Sequence, residues 1–322
     1  MSAPKAERPI LRTLVHTSVI LVSLIVFLNE MYCLINFAKI SEACQSLTFN
    51  CSLSIGLEDV VLIRFSGIAT TILFAILLIV EGACLVYALY RYIPAIRKEI
   101  ADPAERADRS GLCAASSGLA ASLFIGVVYI LITAIIGEMP DTEWMSAYSN
   151  DQLSFMLTRA GVREELMFRV FWIGVPIMIV TAIFVKDKRC WHYLFGGFGM
   201  TKVAFAFIIL SSIMFGLAHD SGWGWSKVLE SAMAGIVFGY LYVEYGLYAA
   251  ILAHTANDTI SAIGYMGFQG LEVMVMMLLL LVGLVTVIYW IAKPNWDAVD
   301  PRKMETLPEK LEGSVLDHWG RH

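Results

Sequence analysis

Charge is scarce in this chain: Asp, Glu, Lys and Arg together make up 16% of its 322 residues, while 58% are hydrophobic. A soluble domain carries roughly a quarter charged and 45–50% apolar residues. The shortage argues against a water-soluble fold and for a structure that grows by adding membrane spans. Closely spaced thiol pairs are missing too. The six cysteines, Cys33, Cys44, Cys51, Cys84, Cys113 and Cys190, include no CxxC, so neither a thiolate-held zinc nor a dithiol exchange site is expected. No internal repeat, low-complexity tract or membrane-barrel alternation is visible. Lys and Arg lie between apolar segments instead of forming a basic stripe, so nucleic acid is not an expected partner.

What remains is a series of apolar runs. A hydrocarbon core of about 30 Å needs about 20 apolar residues per helix. Eight stretches qualify, near 14–38, 60–92, 113–137, 165–186, 203–219, 228–244, 247–265 and 271–292. All carry Gly, Ser, Thr or Ala among the large apolar residues, which permits close helix packing in lipid. The expected fold is all-α: a polytopic transmembrane bundle of about eight spans over residues 1–293, followed by a polar tail at 294–322 with Pro301 and Pro308. The first run follows Lys5, Arg8 and Arg12 and is either a retained span, which its length favours, or a cleaved leader.

Orientation follows the basic residues. The N-terminus, the loop with Arg91, Arg97, Lys98, Arg106 and Arg109, the loop with Lys186, Lys188, Arg189 and Lys202, and the tail from Lys293 fall on one side when the span count is even. Both termini are therefore expected in the cytoplasm. The segments 41–59, 138–151 and 221–226 lack Lys and Arg and should face out. Cys44 and Cys51 lie there, as a disulfide or as two thiols. Glu30, Arg64 and Glu81 fall in or near hydrocarbon, where charges are costly unless paired or wet, and form either a structural ion network or something functional.

Three segments set ionisable groups against apolar runs. In Arg163-Glu164-Glu165-Leu166-Met167-Phe168-Arg169, Glu165 and Arg169 stand four apart on one helical face and can pair. Glu164 is rotated about 100° away and is free for another neighbour. Phe215-Gly216-Leu217-Ala218-His219 closes the fifth run, and His254-Thr255-Ala256-Asn257-Asp258 places His254 and Asp258 one turn apart inside the seventh, with Asn257 the weaker candidate. Each has a plain structural reading when taken alone: a solvated helix start favoured by the dipole, an interfacial anchor, a polar contact between spans.

Together, and in this order, they resemble the EExxxR, FxxxH and HxxxN or HxxxD motifs of the CPBP intramembrane endopeptidases, the family of CAAX proteases and bacteriocin-processing or Abi proteins. The resemblance covers Glu164 to Asp258 and implies a catalytic core at about 153–265. It implies a peptidase in which Glu164 activates water, His219 assists, and His254 with Asp258 stabilises the oxyanion, supported by Glu165, Arg169 and Phe215. The usual CAAX protease has Asn where this chain has Asp258. An ionised carboxylate cannot donate to an oxyanion, so Asp258 is either protonated or orients His254 as carboxylates do in hydrolytic triads.

No cofactor is implied. The same Glu164, His219 and His254 would also suit zinc, although HExxH is absent. A transporter or a silent scaffold relative is the alternative outside proteolysis. Expected partners are membrane lipid and a peptide or protein substrate, which the family allows to be lipidated or membrane-anchored. The charge map sets the start of the Glu164 helix and the end of the His219 helix outward and His254 nearer the inner end, so these groups meet only if helices tilt, break or begin elsewhere. An outward-opening site within the membrane is the expectation.

Overall fold

The computed structural model describes residues 9–292 except 103–104, 106, 186–188 and 266–267. The polar tail at 294–322 and the loop cations Lys186 and Lys188 lie outside the described residues. The expected all-α bundle is present. Helices α1 (Pro9–Ile35) and α2 (Phe37–Gln45) precede a hairpin of β1 (Phe49–Ile55) and β2 (Glu58–Phe65). Then come α3 (Ile68–Ala101), α4 (Gly111–Ile136), α5 (Asn150–Glu165), α6 (Val175–Val180), α7 (Lys202–Leu217), the short α8 (Asp220–Trp223), α9 (Ser226–Tyr245), α10 (Leu247–Tyr265) and α11 (Gln269–Ala292).

Six helical segments among the described residues are long and apolar enough to cross a bilayer: Arg12–Ile35, Ile68–Ala101, Gly111–Ile136, Asn150–Phe184, Lys202–Trp223 and Gln269–Ala292. The other two expected spans, α9 and α10, are helices of 20 and 19 residues but are not among the six. For α10 the reason is position. It packs against α1, α3, α4, α5, α9 and α11, with Ala249, Ala250, Ala253 and Ala256 buried along it. A helix enclosed by protein is free of the demand for lipid-like side chains and can carry His254, Asn257 and Asp258.

Two boundaries differ from the sequence expectation. The second span starts at Ile68, not near 60, because Val60 to Phe65 belong to β2. A short β-branched apolar run cannot be told from a helix segment by periodicity alone. The decisive feature is the two-residue loop between β1 and β2, whose first residue, Gly56, has φ 65°, as tight hairpin turns require. Arg64 consequently leaves the proposed buried network: it lies exposed on β2 opposite Asn50. Glu30 and Glu81 remain buried, and Glu81 accepts from Thr255 Oγ1 at 2.9 Å.

The fourth span begins at Asn150, not near 165. Ser149 caps it with a reciprocal pair of bonds to Gln152, a capping box that satisfies two orphan N–H groups. Beyond Glu165 the helix widens into π-turns over Leu166–Gly174 and again over Thr181–Val185. The first wide segment ends just before Pro176, which has no N–H to donate and crowds the turn before it.

Close packing of α7 against α9 relies on missing side chains. A Cβ at Gly235 would come 3.0 Å from Ser212 Cα, and one at Gly239 3.0 Å from Ile208 Cγ2, so the backbones meet as small-residue membrane interfaces allow. Cys44 and Cys51 are both free. Burial, with a smaller contribution from Asp151, pushes the Cys44 thiol up to about 12, which leaves it without thiolate character.

Candidate functional site

Glu164 and Glu165 are neighbours with opposite surroundings. Glu165 is fully buried, as is Arg169, whose Nε donates to Glu165 Oε2 at 3.1 Å. Arg169 also donates to Ser211 Oγ at 3.0 Å, and the Ser211 hydroxyl in turn donates to the Phe168 carbonyl at 2.6 Å. The guanidinium lies over the rings of Phe215 and Phe238, 5.0 and 5.7 Å from their centroids. A buried cation held this way has its charge paired, a bond from each nitrogen and its flat faces covered.

The second oxygen of Glu165 reaches another helix. His254 Nδ1 lies 2.7 Å from Glu165 Oε1, and because a carboxylate only accepts, this nitrogen carries the proton. Phe238 stacks on the imidazole at 4.8 Å and 17°, and Phe215 meets it edge-on. The ring is thereby locked, with Nε2 aimed at Glu164 Oε2 (3.6 Å) and Asp258 Oδ2 (3.5 Å). Asn257 donates to Asp258 Oδ1 at 3.3 Å.

His219 completes the group from the end of α7. Its Nδ1 donates to the Phe215 carbonyl at 2.8 Å, which leaves Nε2 facing Glu164 Oε2 at 3.9 Å. That is too far for a direct hydrogen bond and suits two groups sharing a third atom. Glu164 takes a direct bond from Arg163, Nη2 to Oε1 at 3.2 Å. Side-chain exposure separates the pair of carboxylates: 15% for Glu164, 0% for Glu165.

The ionisable groups of the three motif segments therefore converge, and the boundary shift explains how. Glu164 is not at a helix start; counted from Asn150 it lies about 21 Å along its helix, deep enough to meet His254 inside α10. Approach of those two helices depends on Gly161, where a Cβ would come 3.0 Å from Thr255 Cα. Four contributors were not singled out in the sequence: Arg163, Ser211, Phe238 and the Thr255–Glu81 bond. Ser211 and Thr255 carried a weak signal, as hydroxyls within apolar helices. Phe238 carried none.

Glu164, His219, His254, Asn257 and Asp258 line a cavity of about 640 Å³. Its far walls come from β1 (Asn50, Ser52, Ser54), from Trp144 and Tyr148, and from Ser221 to Trp223, so the three segments without Lys or Arg meet over the site. Two of them, 138–151 and 221–226, also touch each other, through Asp141 N to Trp223 O at 2.9 Å and the edge contact of Trp144 with Trp223. Among the described residues no three His, Cys, Asp or Glu side chains are disposed to hold a metal ion.

Residues 152–260 match the family model described as Type II CAAX prenyl endopeptidase Rce1-like. Over this segment the chain is similar to that family. The match starts within α5 and ends within α10, so the matched segment contains every motif residue named above. The hairpin and α1 to α4 lie outside it. No curated protein and no solved structure matches the chain.

Proposed function

We propose that the chain is an intramembrane endopeptidase that hydrolyses a peptide bond in the cavity beneath the hairpin. One observation carries this reading: a cavity-facing carboxylate, Glu164, meets two imidazoles whose orientations are set through Nδ1, with Glu164 Oε2 3.9 Å from His219 Nε2 and 3.6 Å from His254 Nε2. Glu164 is the general base. Water bound between it and the lone pair of His219 Nε2 loses a proton to Glu164 as its oxygen attacks the carbonyl carbon. His254, as imidazolium, donates Nε2–H to the oxyanion, and Glu164 then returns its proton to the amide nitrogen as the C–N bond breaks and the carbonyl re-forms as a carboxylic acid. The geometry of His254 is set before the reaction by Glu165 and Phe238, the condition under which such donors act most strongly.

This arrangement favours one of the two roles open to Asp258. Glu165 already orients His254 through Nδ1, as the carboxylate does in a Ser-His-Asp triad. Asp258 is then left to act as a second donor in its protonated form, the part an Asn would play. The proposed chemistry has no metal step, with zinc held by Glu164, His219 and His254 as the alternative; metal analysis of purified protein, with activity before and after chelation, distinguishes them. The substrate is a membrane-associated peptide or protein, and the site opens toward the hairpin end, which the charge pattern assigns to the outer face. Comparing the membrane proteomes of cells carrying the wild-type chain and Glu164→Ala tests the proposal. Uncut precursors confined to the variant are expected; identical proteomes would contradict it.

A further inference from the structure

The hairpin outside the matched segment has two unlike strands. β1 turns Ser52 and Ser54 inward, both buried, and lines the cavity. The middle of β2 packs neither face: Val60, Val61, Leu62 and Ile63 are exposed in succession, at 48, 39, 59 and 55%. The described sheet has two strands, so the far edge of β2 carries no strand.

Neither medium suits such an edge. In water, four consecutive large apolar residues on an open edge are a template for aggregation. In hydrocarbon, the N–H and C=O groups along that edge would have no partner, which the lipid interior does not tolerate. A further strand resolves both problems together. The charges say which strand. Glu58 and Arg64 are exposed at opposite ends of the run, so antiparallel pairing of β2 with itself, centred on Val61, sets Glu58 against Arg64 of a second copy twice over. Leu62, which the bulge leaves without a partner on β1, then lies opposite Val60 of the second copy.

The placement of the hairpin permits this symmetry. Phe49 packs on Phe155 of α5 and shares a cluster with Phe74 of α3, while Gly56 N, at the turn, donates to Met214 Sδ of α7 at 3.3 Å. The strands thus cross the bundle from α3 and α5 to α7. Two copies related by a two-fold axis along the membrane normal would present β2 antiparallel, the isologous arrangement usual in dimers.

We propose that β2 is the dimer edge of this protein, joining two copies through a continuous four-stranded sheet whose inner strands are the two β2 and whose outer strands line the two cavities. The test is oxidative crosslinking in native membranes with Cys51→Ser as background. Val61→Cys, on the axis, should give a disulfide-linked dimer. Leu57→Cys, with its two copies roughly 27 Å apart in this register, should give severalfold less. Glu58→Arg and Arg64→Glu should each abolish the Val61→Cys crosslink, and the two together should restore it. Mass measurement of the wild-type protein in lipid discs should find two copies. Crosslinking at position 61 no greater than at position 57, or a crosslink indifferent to both single reversals, would overturn the proposal.

Discussion

Glu164 and Glu165 are the same residue type on consecutive positions of one helix, yet the bundle treats them as different chemistries. The roughly 100° between them turns Glu165 into protein, where it meets Arg169 and His254, and Glu164 into a cavity beside His219. Burial decides the use of each carboxylate. A fully enclosed one must be matched by a cation and donors and so becomes scaffold, whereas a half-open one can change protonation state and bind water.

The comparison can be broken most severely at Glu165. Glu165→Gln leaves Arg169 as an uncompensated buried charge, and loss of about 3–5 kcal/mol in stability is expected, read as reduced thermal unfolding temperature and reduced yield of inserted protein. Cleavage should fall as well, because His254 loses its anionic acceptor. Glu165→Leu with Arg169→Met separates these losses. Removing both charges should recover most of the stability, as replacement of buried ion pairs often does, without recovering activity.

A sharper cut concerns the oxyanion. Asp258→Leu should lower turnover by about 10²–10³, the usual effect of losing one such donor, while Asp258→Asn, which keeps a donor, should stay within roughly tenfold of wild type. Equal and severe losses in both would restore the orienting role to Asp258. The smallest effect is expected at Ser211→Ala, which removes the acceptor of one Arg169 bond and the donor to the Phe168 carbonyl. About 1–3 kcal/mol of destabilisation follows from leaving buried groups unsatisfied, with turnover per folded molecule little changed.

Much of this was legible in residue order. The apolar runs mark the helices, and the spacing of Glu165 from Arg169 and of His254 from Asp258 gives faces that the structure bears out, with each pair's partners within 3.1 and 3.5 Å. What stayed hidden depends on partners far away in sequence. The link from Glu165 to His254 spans 89 positions, and no spacing rule reaches across helices. The hairpin stayed hidden for a local reason, since Val60 to Ile63 fit a strand or a span equally and only Gly56 breaks the tie. The capping box at Ser149 was visible and would have moved the start of the fourth span, and with it the apparent depth of Glu164.

The division of labour between the adjacent carboxylates is tested most directly with Glu164→Gln, purified into lipid discs and assayed on a precursor found in the proteomic comparison, with thermal unfolding measured on the same sample. The account predicts turnover reduced by about 10²–10⁴, the usual share of a general base, at an unfolding temperature close to wild type. Wild-type turnover by folded Glu164→Gln protein would contradict it.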